Sequence, residues 1–141
     1  MASGRTILIA EDSDGDRYIL NRACQQAHLP FHLQFVKDGL QAMDYLEGKG
    51  PFQNRSDYPL PDLVMLDLKM PMADGFDVLR WMQNLPEINW LPVVVFSDSD
   101  LEIDKARAQR LGARDYFTKS ADMDKLRAML EQITHRYLKA A

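Results

Sequence analysis

The sequence holds a single cysteine, Cys24, among 141 residues. One thiol excludes an internal disulfide and suits a reducing compartment. Cys24 sits among the apolar positions of a helical pattern, which points to a small buried hydrophobe rather than a reactive thiol. No apolar run approaches the ~20 residues that span a bilayer, and the N-terminus has no signal-type apolar segment. A cytoplasmic protein without a membrane partner is expected. There is no basic run and the formal net charge is −4, so nothing in the composition supports binding to nucleic acid. Internal repeats and low-complexity tracts are missing. The three histidines, His28, His32 and His135, are scattered and lack metal-ligand spacing.

What is present is the balance of a globular chain, 46% apolar and 27% charged. The length fits one domain with a core of its own. Apolar period and turn residues alternate along it. Short apolar runs read as strands at Thr6–Ala10, His32–Val36, Leu63–Leu66, Pro92–Phe96 and Asp115–Phe117. Helical spacing covers Asp14–Ala27, with Asp14 as N-cap, Gly39–Glu47, with Leu40, Met43 and Leu46 on one face, Gly75–Leu85, Leu101–Leu111 and Asp122–Leu138. Residues 48–61 are rich in Gly, Pro and polar side chains and read as an extended loop. The order is (βα)5. Strands apolar on both faces, alternating with helices, predict a five-stranded parallel sheet covered on each side: a doubly wound, flavodoxin-like α/β sandwich. The expectation is one domain over 1–141, with no output domain.

In open parallel sheets, sites form at the carboxyl ends of the strands. Glu11 and Asp12 follow the first predicted strand, Asp67 the third, Ser97 the fourth, and Lys119 closely follows the fifth. Capping explains any one of them, Ser97 above all. Three acids, a hydroxyl and a lysine meeting on one edge call for chemistry. Crowded carboxylates either raise their pKa values or hold a cation. Oxygen ligands with open positions suit Mg²⁺, which shares its shell readily with phosphate. Lys119 is a point cation for a phosphate oxygen. Asp67 is then a metal ligand or a nucleophile toward phosphorus.

The motifs ILIAED, LVMLDLKMPMADGFDVL, LPVVVFS and ARDYFTKS, in this order, resemble the receiver domain of two-component response regulators over nearly the whole chain. The resemblance implies that Asp67 accepts a phosphoryl group from a sensor histidine kinase. It implies Mg²⁺ held by Glu11, Asp12, Asp67 and the backbone carbonyl of Lys69. Ser97 and Lys119 would contact the phosphoryl group, and the Tyr116 ring would turn inward on activation. The narrower likeness, from the length of loop 48–61 and the TKS sequence, is to stand-alone regulators paired with phytochrome-type sensor kinases. Receivers of this kind often dimerise through helix 4, strand 5 and helix 5. A homodimer is expected here, with Met129 and Tyr137 of helix 5 offering apolar contact.

Some positions depart from the common pattern. Ser120 stands where the family usually has a proline after the lysine. A cis Lys119–Ser120 bond would cost about 2.5–4 kcal/mol, so the bond is expected to be trans, or cis only if the site holds it strained. Asp98 replaces a small residue beside the hydroxyl, and Lys69 is placed to offset its charge. Arg107, Arg110 and Arg114 read as a solvated face. Two other functions fit parts of the pattern. A phosphatase with an aspartyl nucleophile needs a second acid two residues on, where Lys69 stands. A receiver-like docking module that takes no phosphate needs none of the five site side chains.

Overall fold

The computed structural model describes Gly4 to Leu138. Five strands and five helices alternate: β1 Arg5–Ala10, α1 Asp14–Gln26, β2 Phe31–Val36, α2 Gly39–Glu47, β3 Leu63–Leu66, α3 Gly75–Gln83, β4 Val93–Ser97, α4 Glu102–Arg110, β5 Asp115–Thr118 and α5 Met123–Tyr137. All strand pairs are parallel, in the order β2-β1-β3-β4-β5. The sandwich expected from the sequence is the one observed.

Strand alternation divides the core into two layers. Ile7, Ile9, Leu63, Met65, Val94 and Phe96 point to one side, where Leu20 of α1 and Leu126, Leu130 and Ile133 of α5 cover them. Leu8, Ala10, Val64, Leu66, Val93 and Val95 point to the other, against Ala42, Tyr45, Val78, Leu79 and Ala108 of α2, α3 and α4. Both faces of β3 are fully buried, as an unbroken apolar run requires. Cys24 is buried in the first layer. Among the described residues, no helix is long and apolar enough to cross a membrane.

Several local expectations change. The N-cap of α1 is Ser13, not Asp14: its hydroxyl accepts the Asp16 N–H at 3.2 Å. Helix α2 buries Ala42, Tyr45 and Leu46, and Leu40 faces solvent. Gly39 at its start packs closely on the neighbouring loop, where a Cβ would lie 2.2 Å from the Ala73 carbonyl oxygen. Met129 is buried between α5 and the sheet, and Tyr137 is half-buried with its hydroxyl on Asp115 at 2.6 Å. Neither is the free contact surface expected of it. The Arg107 guanidinium stacks 4.1 Å from the centroid of the Phe76 ring instead of lying only in solvent, and Arg114 donates to the Trp90 carbonyl at 3.0 Å.

Loop 48–61 is an ordered structure. Tyr45, Phe52 and Tyr58 form an aromatic cluster with ring centroids 5.1, 5.2 and 6.0 Å apart. Arg55 donates to the carbonyls of Tyr45 and Leu46 at the end of α2, at 2.8 and 2.9 Å, and to Tyr58 at 3.0 Å. The guanidinium thus adds donors to carbonyls in the last turn of the helix, where intrahelical partners run out; the Tyr45 carbonyl also accepts the Gly48 N–H at 3.1 Å.

Candidate functional site at the carboxyl edge of the sheet

Strands β1 and β3 end side by side, with Ala10 paired to Leu66. The next residues in each chain, Glu11 and Asp67, are therefore neighbours. The Glu11 N–H goes to the Val36 carbonyl at 2.9 Å and the Asp67 N–H to the Ala10 carbonyl at 3.1 Å. These bonds extend the ladders by one step and fix both backbones. Glu11 and Asp67 are only 1% and 6% exposed, while Asp12 turns to solvent. Carboxylate oxygens from Glu11, Asp12 and Asp67 all lie within 4.8 Å of one another.

Lys119 reaches this trio from beyond β5. Its backbone N–H extends the ladder to the Ser97 carbonyl at 2.8 Å. Its ammonium lies 2.7 Å from Glu11 Oε1, 2.8 Å from Asp16 Oδ2 and 3.0 Å from Asp67 Oδ2. The Asp16 and Asp67 contacts are hydrogen bonds. The Glu11 contact is an ion pair without that alignment, and Oε1 has no hydrogen-bond donor. A buried carboxylate oxygen so placed is suited to a cation, and the all-oxygen donor set suits a hard divalent one.

The charges perturb one another. Burial pushes the Glu11 carboxyl from 4.5 to about 7; the Asp67 charge adds to the rise, and Lys119 and the Ser13 N–H oppose it. Burial pulls the Lys119 ammonium down, but the carboxylates of Asp16, Glu11 and Asp67 outweigh it and hold the group above its ordinary value.

The loop after β3 folds back closely on the backbone that carries the acid. Gly75 opens α3 directly against the strand end, its N–H on the Leu68 carbonyl at 3.0 Å. A Cβ there would sit 2.4 Å from the Asp67 carbonyl oxygen. Asp74 and Asp77 form a reciprocal capping box that starts the helix at this point.

Ser97 is fully buried at the end of β4, and its hydroxyl accepts the Ser99 N–H at 3.2 Å. Tyr116 is half-buried and donates its hydroxyl to the Ser99 carbonyl at 2.7 Å. Ser99 itself donates to Asp104 in the first turn of α4 at 2.5 Å. Ser97, Tyr116 and α4 thus meet on one loop residue that the sequence reading passed over. Asp16 was also missed as a partner of the lysine. Lys69 and Asp98 are both exposed; Lys69 contributes a backbone N–H at 3.4 Å from Asp67 Oδ1, and no ion pair among the described residues joins it to Asp98. The Lys119–Ser120 bond is trans, as no cis peptide occurs among the described residues. All three histidines lie at the surface.

Comparison with known proteins agrees with this geometry. The profile of the response regulator receiver domain matches residues 7–131. Response regulator Rcp1 of Synechocystis is 32% identical over 95% of this chain and 89% of its own length. Its Mn²⁺-bound crystal structure superposes with a TM-score of 0.83, covering 97% of this chain and 96% of that one. The phosphorylated cyanobacterial phytochrome response regulator RcpA is 32% identical, with a TM-score of 0.86, covering 99% and 97% of the two chains. RPA3017, a response regulator in red light signalling of R. palustris, is 33% identical with a TM-score of 0.90, covering 97% and 96%. An acidic pocket of this kind in this fold binds a divalent metal. The chain belongs to the response regulator receiver family, whose members act in two-component signalling by taking a phosphoryl group on an aspartate.

Proposed function

We propose that the chain is a stand-alone phosphorylation switch with Asp67 as its phosphoacceptor and a sensor histidine kinase as its donor. One observation carries this reading: a buried lysine bridges Asp67 and Glu11 at the point where three carboxylates converge. An Asp67 oxygen attacks the phosphorus of a phosphohistidine. The P–N bond breaks, the imidazole leaves with the electron pair, and an acyl phosphate remains on Asp67. Glu11, Asp12, Asp67 and the Lys69 carbonyl are the ligands for Mg²⁺, which supplies neutralisation of charge on the transferring group. Lys119 stabilises a second phosphoryl oxygen, and the Ser97 hydroxyl leaves the Ser99 N–H to reach a third.

The switch follows from shared hydrogen bonds. Ser97 and Tyr116 both hold Ser99, so a moving hydroxyl shifts the loop that carries the tyrosine's acceptor. That gives the charge change a packed element to act on. Water later hydrolyses the anhydride and restores Asp67, so the protein is a phosphoacceptor rather than an enzyme with a separate substrate. The likeness to RcpA and RPA3017 supports a phytochrome-type kinase as donor, in the cytoplasm. Helix α4 buries only Ala108 and leaves Leu101 and Ile103 62% and 72% exposed, which supports a homodimer through α4, β5 and α5.

Mass spectrometry after exposure to a small acyl-phosphate donor with Mg²⁺ tests the reading. The expected result is a gain of one phosphoryl group that Asp67→Asn abolishes, with a dimer mass by light scattering. No gain in the unsubstituted chain would leave a docking module, and a monomer mass in both states would remove the dimer.

A further inference from the structure

Lys119 and a divalent cation draw on the same acids. The ammonium has three donors and three carboxylates around it, Glu11, Asp16 and Asp67. Glu11 and Asp67 belong to the trio that converges on one point, together with Asp12; Asp16 does not. A second cation arriving at Glu11 and Asp67 is repelled by the lysine and competes with it for oxygens. Asp16 is the one carboxylate in the cluster that Lys119 does not share.

Its placement is set by the start of α1. The Ser13 hydroxyl holds the Asp16 N–H, and the Lys119 contact spans 103 residues of chain. Neighbouring charges leave it free for that contact: Arg17 pairs with Asp14 and donates to the Glu11 backbone carbonyl at 2.6 Å. The Asp16 side chain is 34% exposed, against 8% for Lys119, so it lies on the solvent side of the ammonium.

We infer that Asp16 is a positioning residue that retains the Lys119 ammonium when a divalent cation takes Glu11 and Asp67. The lysine then stays in the site, ready for a phosphoryl oxygen, without having to be displaced for the metal to enter. Without the Asp16 charge, Lys119 rests on Glu11 and Asp67 alone and competes fully with the cation. The inference rests on Glu11, Asp12 and Asp67 being the cation's ligands.

Calorimetric titration of the phosphate-free protein with Mn²⁺ tests it in a double-mutant cycle. Asp16→Asn is expected to weaken Mn²⁺ binding about fivefold, the scale of a partly exposed ion pair. In a Lys119→Ala background, where no ammonium competes, the same substitution is expected to change binding by less than about twofold. Equal weakening in both backgrounds would reduce Asp16 to a diffuse negative charge and overturn the inference. So would unchanged binding with Lys119 present. Asp12→Asn separates the two levels of the argument. If it binds Mn²⁺ as the unsubstituted chain does, the ligand assignment fails; if it loses binding while Asp16→Asn does not, only the role of Asp16 fails. Circular dichroism on each variant confirms that it is folded.

Discussion

Glu11 makes the stability of the metal-free protein and its metal affinity respond to pH in opposite directions. Burial, then the Asp67 charge, raises its carboxyl from 4.5 to about 7 in the folded state. Between those values the folded protein keeps a proton that the unfolded chain has released. Glu11 therefore contributes stability that is fully present below 4.5 and is lost as pH rises through about 7. The whole contribution is about 3 kcal/mol at most. Lys119 does not enter this window, because the acids around it hold its ammonium above the ordinary lysine value despite burial. A divalent cation needs the ionised carboxylate, so it competes with the same proton. Below a pH of about 7 its apparent affinity falls about tenfold per unit, and above that it levels off. The assay is urea unfolding across this range, without divalent cation, beside Glu11→Gln, which cannot titrate. The unsubstituted chain is expected to lose about 2–3 kcal/mol relative to the variant as the pH rises. Mn²⁺ titrations over the same range are expected to show the opposite slope. Parallel stability profiles for the two chains, or an Mn²⁺ affinity independent of pH in the acid range, would refute the reasoning.

Gly75→Ala puts a Cβ 2.4 Å from the Asp67 carbonyl oxygen and 2.9 Å from Leu68 Cα. Both neighbours are backbone and neither can turn aside, so a loss of about 1–3 kcal/mol in urea unfolding is expected, together with slower phosphorylation because Asp67 is carried along. Unchanged stability and rate would show that the loop yields there. Arg55→Ala strips donors from the carbonyls of Tyr45, Leu46 and Tyr58. It is expected to cost about 2–3 kcal/mol while phosphorylation of the folded protein persists, and a loss under about 0.5 kcal/mol would mean water replaces the guanidinium.

The sheet and the acid trio could be read from sequence because both follow from local order. A run such as LVML has no polar face, so it must lie inside a covered sheet, and the residue after it must stand at the rim. That argument reaches Asp67 from β3 and Glu11 from β1 without any knowledge of tertiary contacts. It fails wherever a residue's role is set by what another segment brings to it. Arg55 lies in a segment that reads as loop, and only the end of α2 gives it a purpose. One position of α2 departs for a similar reason: apolar spacing alone puts Leu40 inside with Met43 and Leu46, whereas Leu46 is buried, Met43 is half-buried against the core, and Leu40, next to the close approach of Gly39 to Ala73, faces solvent. Asp16 is the sharpest case. An acid in the first turn of a helix already has a sufficient local explanation in the helix dipole, and Asp14 offers the same one two residues earlier. Nothing local distinguishes them. The distinction comes from Lys119, 103 residues away, which turns one of two first-turn acids into a partner of the site and leaves the other paired with Arg17.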